Sequence, residues 1–313
     1  MQLPIPFIFA ALVLAASLLL LSCDQTESVN AGITVTGHVA NMELDEISGI
    51  QRSARQPGVF FTHNDDGEAR IYALDAEGAN LGSVLIPGAS NRDWEDIALI
   101  NEPGNPMLVI ADSGDNFAQH PGVDLYFVPE PVANDDGQFE GQAGLGHTIT
   151  LVYPDGARDC ESVAWDPASD RIILLSKRDK PARMYSIDRS TAMTASSATL
   201  EFHGEIHPFR PPTAQDYARF GARDGAWVSQ PTGMDISADG RIAAVISYRS
   251  LYLFERQGEE SWETAFRRKP VEFEGPPSNK EEAVTFIGAD AQSILITTEG
   301  IPAPVYRFRL IDR

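Results

Sequence analysis

From about residue 32 the chain alternates short apolar runs with polar breaks rich in Gly, Pro, Asn and Asp. One pattern, an apolar residue, Tyr, any residue and a second apolar residue, recurs five times. The copies are Ile71-Tyr72-Ala73-Leu74, Leu125-Tyr126-Phe127-Val128, Met184-Tyr185-Ser186-Ile187, Leu251-Tyr252-Leu253-Phe254 and Val305-Tyr306-Arg307-Phe308. The Tyr-to-Tyr steps are 54, 59, 67 and 54 residues. Each copy follows a β-branched run with a polar end, such as Val59-Phe60-Phe61-Thr62-His63-Asn64-Asp65 or Ile172-Ile173-Leu174-Leu175-Ser176-Lys177. Each of those follows a third element: Ser48-Gly49-Ile50, Glu95-Asp96-Ile97, Glu161-Ser162-Val163, Thr232-Gly233-Met234 or Glu282-Ala283-Val284. Runs of this length and composition predict strands. Three strands and a more variable fourth, repeated every ~50–70 residues, predict an all-β fold, a β-propeller of four-stranded antiparallel blades over residues 32–313.

Five blades can be counted; six is the alternative, if the long third interval hides a degenerate one. The fifth blade lacks a fourth strand before the chain ends at Arg313. The segment Ile33–Val39 is expected to supply it and close the ring, covering an edge that would otherwise invite aggregation. The main interruption is Glu205–Gln230, long for a connection and rich in Pro, Arg and aromatic residues. His203 and His207 stand at its approach, but Pro208 argues against the helix that an i, i+4 metal pair would need.

The N-terminus reads as an address. Phe7–Leu21 is an uninterrupted apolar or small run of fifteen residues. As a helix it would rise about 22 Å, short of the roughly 30 Å hydrocarbon core, so a signal-peptide core over 1–22 fits better than a span. The run ends in Leu20-Leu21-Ser22-Cys23, which resembles a bacterial lipobox. That resemblance implies diacylated Cys23 as the mature N-terminus, a lipidated tether over 23–31 and a periplasm-facing location. Asp24 slightly favours the inner membrane, with the outer membrane or cell surface as alternatives. Cys160, the other cysteine, is then a free thiol, read as a buried small hydrophobe.

Charge narrows the function. Lys and Arg number 24 against 45 Asp and Glu, a net charge of −21. Phosphate contacts need a basic surface, so nucleic acid is excluded as a partner. A basic lipid-binding patch is excluded as well, leaving the acyl anchor at Cys23 as the membrane contact. Strand direction then groups the chemistry. The starts of the first strands and the ends of the second strands share one face. Glu95, Glu161 and Glu282, with Glu46 near Ser48, are expected around the channel mouth. Two carboxylates at ~5 Å repel by about 3 kcal/mol at an effective dielectric near 20. Relief comes from protonation, from Lys or Arg, or from a bound cation. A hard cation suits an all-oxygen set, Ca²⁺ before Mg²⁺. A scaffold role and a Glu–Lys/Arg network are the other readings of the same glutamates. Asp65, Asp112, Glu299 and His63 are the acid–base candidates. Asn64, Lys177, Arg178 and Arg249 are the ligand-binding candidates, suited to a small anionic ligand.

Ser48–Ile50 with Gly58–Asp65, Arg92–Glu95, Ala111–Asn116, Tyr153–Gly156 with Asp159–Glu161, Ser176-Lys177 and Thr298–Gly300, in that order, resemble a group of uncharacterised secreted bacterial propellers. The resemblance implies the fold and no activity. More distantly, Thr232-Gly233-Met234-Asp235 and the strand-opening glutamates are similar to gluconolactonase- and strictosidine-synthase-like propellers, with phytase-like propellers a further analogy. That likeness implies a Ca²⁺ held by Glu95, Glu161 and Glu282, although Thr232 and Ser48 depart from the acids or amides expected there. The sequence therefore carries two functional expectations. One is a module binding a small anionic ligand or a protein partner at an acidic, metal-containing mouth. The other is a metal-dependent hydrolase of an ester, lactone or phosphoester.

Overall fold

The computed structural model describes residues 32–276 and 280–310. The expected leader, Cys23 and the tether lie outside the described residues. The first strand, β1 (Gly32–His38), is followed by blade 1: β2 (Ile47–Arg52), β3 (Val59–Asn64), β4 (Arg70–Asp75) and β5 (Asn80–Leu85). Blade 2 comprises β6 (Trp94–Ile100), β7 (Met107–Asp112), β8 (Val123–Pro129) and β9 (His147–Val152). Blade 3 comprises β10 (Cys160–Asp166), β11 (Arg171–Ser176) and β12 (Arg183–Asp188), then, after β13 (Ser197–Thr199), its outer strand β14 (Glu201–Glu205). The short β13 adds to blade 2, parallel to β9. Blade 4 comprises β15 (Gly233–Ile236), β16 (Ile242–Ile246), β17 (Ser250–Glu255) and β18 (Val271–Glu274). Blade 5 comprises β19 (Glu281–Phe286), β20 (Ser293–Thr298) and β21 (Pro304–Arg309).

The described residues form five sheets, and β1 is the outer strand of the last one, antiparallel to β21. The ring is therefore five-bladed and closed by the N-terminal strand, as the repeat predicts. The five inner strands touch one another in sequence, with β19 returning to β2.

Burial explains why the inner strands read as continuous apolar runs. Every residue of β6, β7 and β19 is buried, because each blade is covered by a neighbour on both faces. Outer strands have an open side, and β1, β9 and β18 are each partly exposed. Five hydrophobic clusters fill the five gaps between blades. The one closing the ring joins Ile47, Phe60 and Tyr72 of blade 1 to Ala283, Leu295 and Val305 of blade 5.

Polar staples run between inner strands. Ser48 Oγ donates to the Glu95 carbonyl at 2.8 Å, and Thr232 Oγ1 donates to the Glu281 carbonyl at 2.6 Å. Ser113 Oγ, just past β7, donates to the Cys160 carbonyl at 2.7 Å. Within the channel, Asp96 accepts the N–H groups of Val163, Met234 and Ile97 at 2.7, 3.1 and 2.9 Å. Asp235 accepts from Phe286 N, Thr285 Oγ1 and Gln51 Nε2. These two carboxyls bind all five blades to the axis.

The Glu205–Gln230 interruption contains a helix, α1 (Ala214–Asp224), opened by a capping box between Thr213 and Asp216. Its Phe220, with Val228, packs on Tyr248 at the end of blade 4's second strand, beside half-buried Trp227. The insertion thus lies against one side of the mouth face.

Candidate functional site

The first turn of each inner strand sets the site. Antiparallel register slips at Glu95, between Trp94 and Asp96, and at Glu161, between Cys160 and Ser162. It slips again at Glu282, between Glu281 and Ala283, and at Ser48-Gly49. Blade 4, which has Thr232 there, pairs β15 with β16 without a slip. A bulge inserts one residue and re-aims its side chain. The three glutamates are therefore bulge residues, turned toward one another at the mouth.

They are buried, and they surround a lysine. Lys177, the residue after β11, pairs with Glu161 and is 4% exposed. Its Nζ donates to the Tyr248 hydroxyl at 3.5 Å, and Tyr248 in turn hydrogen-bonds Glu282. Burial works against the ammonium, yet Glu161 first, then Glu282, Tyr248 and Glu95, hold its pKa well above the usual lysine value. Glu161, Glu95 and Asp159 each offer one carboxylate oxygen within 4.8 Å of the others. Asp159 also accepts from Arg178 Nε at 2.6 Å and from Asp115 N at 2.9 Å. Glu95 faces Gly114 closely enough that a Cβ there would stand 2.4 Å from its Oε1. The Ser48 hydroxyl, at 3.4 Å, also reaches the Glu95 carboxylate.

Burial pushes the Glu95 carboxyl well above the ordinary range, and Glu161 adds to the effect. Glu282 rises likewise, from burial against a partial pull from Lys177 and a push from Glu299. Glu161 rises because burial outweighs its lysine. One ammonium thus serves three buried glutamates, and protons supply part of the balance.

The remaining candidates are distributed around this centre. Glu46 does not join the three glutamates. It clusters instead with Asp65 and Asp66 on blade 1. Asp65 is pushed up to about 8, by burial first and then by Glu46, Glu299 and Asp66. Glu299 pairs with Lys280 and faces both Asp65 and Glu282. Asn64 ties blade 1 together, donating to the Glu43 carbonyl.

Three candidates face protein instead of the mouth. His63 is fully buried edge-on against Trp94, 5.5 Å between ring centres, and burial lowers it to about 4. Asp112 is buried, accepts from Asp93 N and Tyr126, and lies 3.6 Å from Arg92. Arg249 is 2% exposed and holds the insertion through Asp216 at 2.8 Å and the Pro211 carbonyl at 3.4 Å. Arg178 is engaged by Asp159 and Asn116 and stacks over Trp227, 4.7 Å from the ring centre. The expected basic clamp is therefore already tied to carboxylates or to the insertion.

Asp159 and Tyr248 are the residues the sequence reading omitted. Asp159 had a signal: Asp93-Trp94-Glu95 and Asp159-Cys160-Glu161 repeat the same Asp-x-Glu. Tyr248 had none, since its contact with Lys177 joins blades 3 and 4. Cys160 is buried and free, and burial pushes its thiol up to about 12, the behaviour of an inert core residue.

No family model and no curated protein matches the chain. Among solved structures the chain is similar to Kuenenia stuttgartiensis hydrazine synthase, at 14% identity and a TM-score of 0.39, over 82% of this chain and 57% of that one. The chain spans little more than half the length of that protein, and a likeness of this size carries no argument about activity. The strand order is that of a β-propeller, and on that order the fold assignment rests.

Proposed function

We propose that the protein is a lipid-anchored, periplasm-facing propeller that binds its ligand at the bulged mouth, with a divalent cation, Ca²⁺ before Mg²⁺, held by Glu95, Asp159 and Glu161. One observation carries the reading: three bulges aim three buried glutamates at a single ammonium, leaving more acid than base in the same small volume. Oxygens within 4.8 Å of one another can each reach an ion at Ca²⁺ distances of ~2.3–2.6 Å. Lys177 pairs with Glu161 and Arg178 with Asp159, and Glu95 has no such ion pair among the described residues. The ion would add positive charge where protons now supply it, and its outward positions would take an oxygen-bearing anionic ligand.

Cation binding must therefore release protons. Titration calorimetry should show Ca²⁺ binding near pH 8, with proton release and a rise in Tm, and weaker binding near pH 5. Glu95→Gln, which leaves the Lys177–Glu161 pair intact, should abolish both signals. The absence of heat and of any Tm shift in wild-type protein at millimolar Ca²⁺ near pH 8 would reject the cation. The anchor is tested separately: labelled palmitate should enter the wild-type chain and not Cys23→Ala.

A second reading, metal-dependent hydrolysis at the same face, is favoured by Asp65. Its carboxyl holds a proton near neutral pH and is only partly buried, as a general acid requires. It calls for turnover of an ester, lactone or phosphoester that chelation abolishes.

A further inference from the structure

A second constellation lies in the groove between blades 3 and 4, away from the mouth. Strand β14 pairs with β12 through a register slip: Met184 faces Gly204 and Tyr185 faces Phe202, so His203 is the extra residue. Gly204 has φ +103°, a conformation an L side chain rarely adopts. This bulge brings His203 Nε2 to 2.7 Å from Ser186 Oγ. On the other side of the hydroxyl, Arg171 Nε donates to Ser186 Oγ at 2.8 Å. Arg171 can only donate, which leaves the hydroxyl hydrogen free to point to His203 Nε2 in the tautomer that leaves this nitrogen unprotonated. The imidazole must then carry its proton on Nδ1, which lies 3.9 Å from Glu263 Oε2.

Ser186, His203, Arg171 and Glu263 line one cavity of about 280 Å³, with Met184 and Trp262 as its apolar wall. Arg256 and Trp262, both buried, also line it, and Arg256 Nε and Trp262 Nε1 have no acceptor among the described residues. These two donors stand beside the carboxylates of Asp166, Glu259, Glu260 and Glu263. A serine hydroxyl hydrogen-bonded to an imidazole, with a carboxylate beyond hydrogen-bond reach but beside the ring's other nitrogen, is close to the arrangement of covalent acyl transfer.

We propose that this groove is a serine esterase centre for small esters, with Ser186 as nucleophile, His203 as base, and Glu263 and Arg171 as positioning residues. Ser186 Oγ bonds to the ester carbonyl carbon as its proton passes to His203 Nε2. The bond from that carbon to the alcohol oxygen breaks, and the alcohol leaves with that proton. Water then attacks the acyl-serine with His203 again as base, releasing the acid and restoring the hydroxyl. His203 is suited to this at neutral pH: burial lowers its pKa, Arg171 and Arg267 act in the same direction, and Glu201 and Glu263 oppose them. The centre does not depend on the mouth or on a metal, so its turnover is insensitive to chelators. Chelation therefore separates it from the metal-dependent reading.

The test is labelling of the full chain with a fluorophosphonate, in which an oxygen–phosphorus bond forms at serine and fluoride leaves. Peptide mass spectrometry should find the adduct on Ser186. His203→Gln should slow labelling at least ~10-fold, the lower range of a general base. Glu263→Gln should slow it less. Short-chain p-nitrophenyl ester turnover should persist in excess EDTA, fall with His203 protonation, and disappear in Ser186→Ala. No adduct on Ser186 in folded wild-type protein overturns the proposal. So does labelling unchanged in His203→Gln, or turnover that survives Ser186→Ala.

Discussion

Glu95 and Asp96 are neighbours on one strand, and both are buried, yet they do opposite things. Asp96 lies inside the channel, where three backbone N–H groups from three inner strands point at it. Burial pushes its carboxyl up and those three bonds pull it back. Glu95 stands on a bulge one residue earlier, among Glu161, Asp93 and Asp159. The first carboxyl is saturated by the scaffold and serves architecture. The second is crowded by its own kind, and Lys177 offsets only part of the push. A buried acid is thus a functional candidate when its partners are other acids, and a structural one when they are backbone N–H groups.

The largest expected effect lies on the saturated side. Asp96→Ala leaves three buried N–H groups without an acceptor, and unmade bonds of this kind cost about 1–3 kcal/mol each. Thermal or urea unfolding should show a loss of about 3–9 kcal/mol, with little dependence on Ca²⁺. A loss under ~1 kcal/mol would mean that the channel does not rely on this staple.

Next is Lys177→Met, which strands Glu161. Breaking a buried pair costs about 3–5 kcal/mol. The loss should be largest near pH 8 and smaller near pH 5, where a protonated Glu161 needs no partner. Equal losses at both pH values would show that the ammonium does not balance the glutamates.

Glu95→Gln should act with the opposite sign. The folded state holds the Glu95 proton well above the ordinary glutamate value of 4.5, whereas the unfolded chain releases it near that value. Wild-type stability therefore falls as pH rises from about 4.5. The amide carries no such penalty, so the variant should gain on the order of 1 kcal/mol near pH 8 relative to pH 5. Denaturant melts across that range would show it, and a parallel profile in the two proteins would break the comparison. Asp65→Asn should give the smallest change. Its folded value of about 8 against 3.8 makes stability decline through that window, and the variant should flatten the decline only slightly, because solvent screens a partly exposed carboxyl.

Much of the fold could be read in the chain. The apolar-Tyr repeat marks the third strand of every blade, the β-branched runs mark the second, and Ile33–Val39 anticipates the closing strand β1. The convergence of Glu95, Glu161 and Glu282 followed from strand direction alone. Glu46 joined Asp65 and Asp66 in place of the three glutamates, and the other assignments that misplaced a side chain concern His63, Asp112 and Arg249. Each stands at the right strand end, but each side chain points into protein. Asp159 could have been read from the repeated Asp-x-Glu, whereas Tyr248 and the Ser186–His203 contact required the structure.

What the sequence by itself determined is the blade: strand length, composition and repeat are local properties, set by side-chain alternation and β-branched packing. What only the tertiary structure decided is which residue falls on a bulge and which charge meets which. Register slips at 95, 161, 203 and 282 belong to pairs of strands, not to one strand. Whether Lys177 neutralises an acid depends on distances between residues far apart along the chain. Alternation is encoded every second residue, whereas charge balance is settled only when the ring closes.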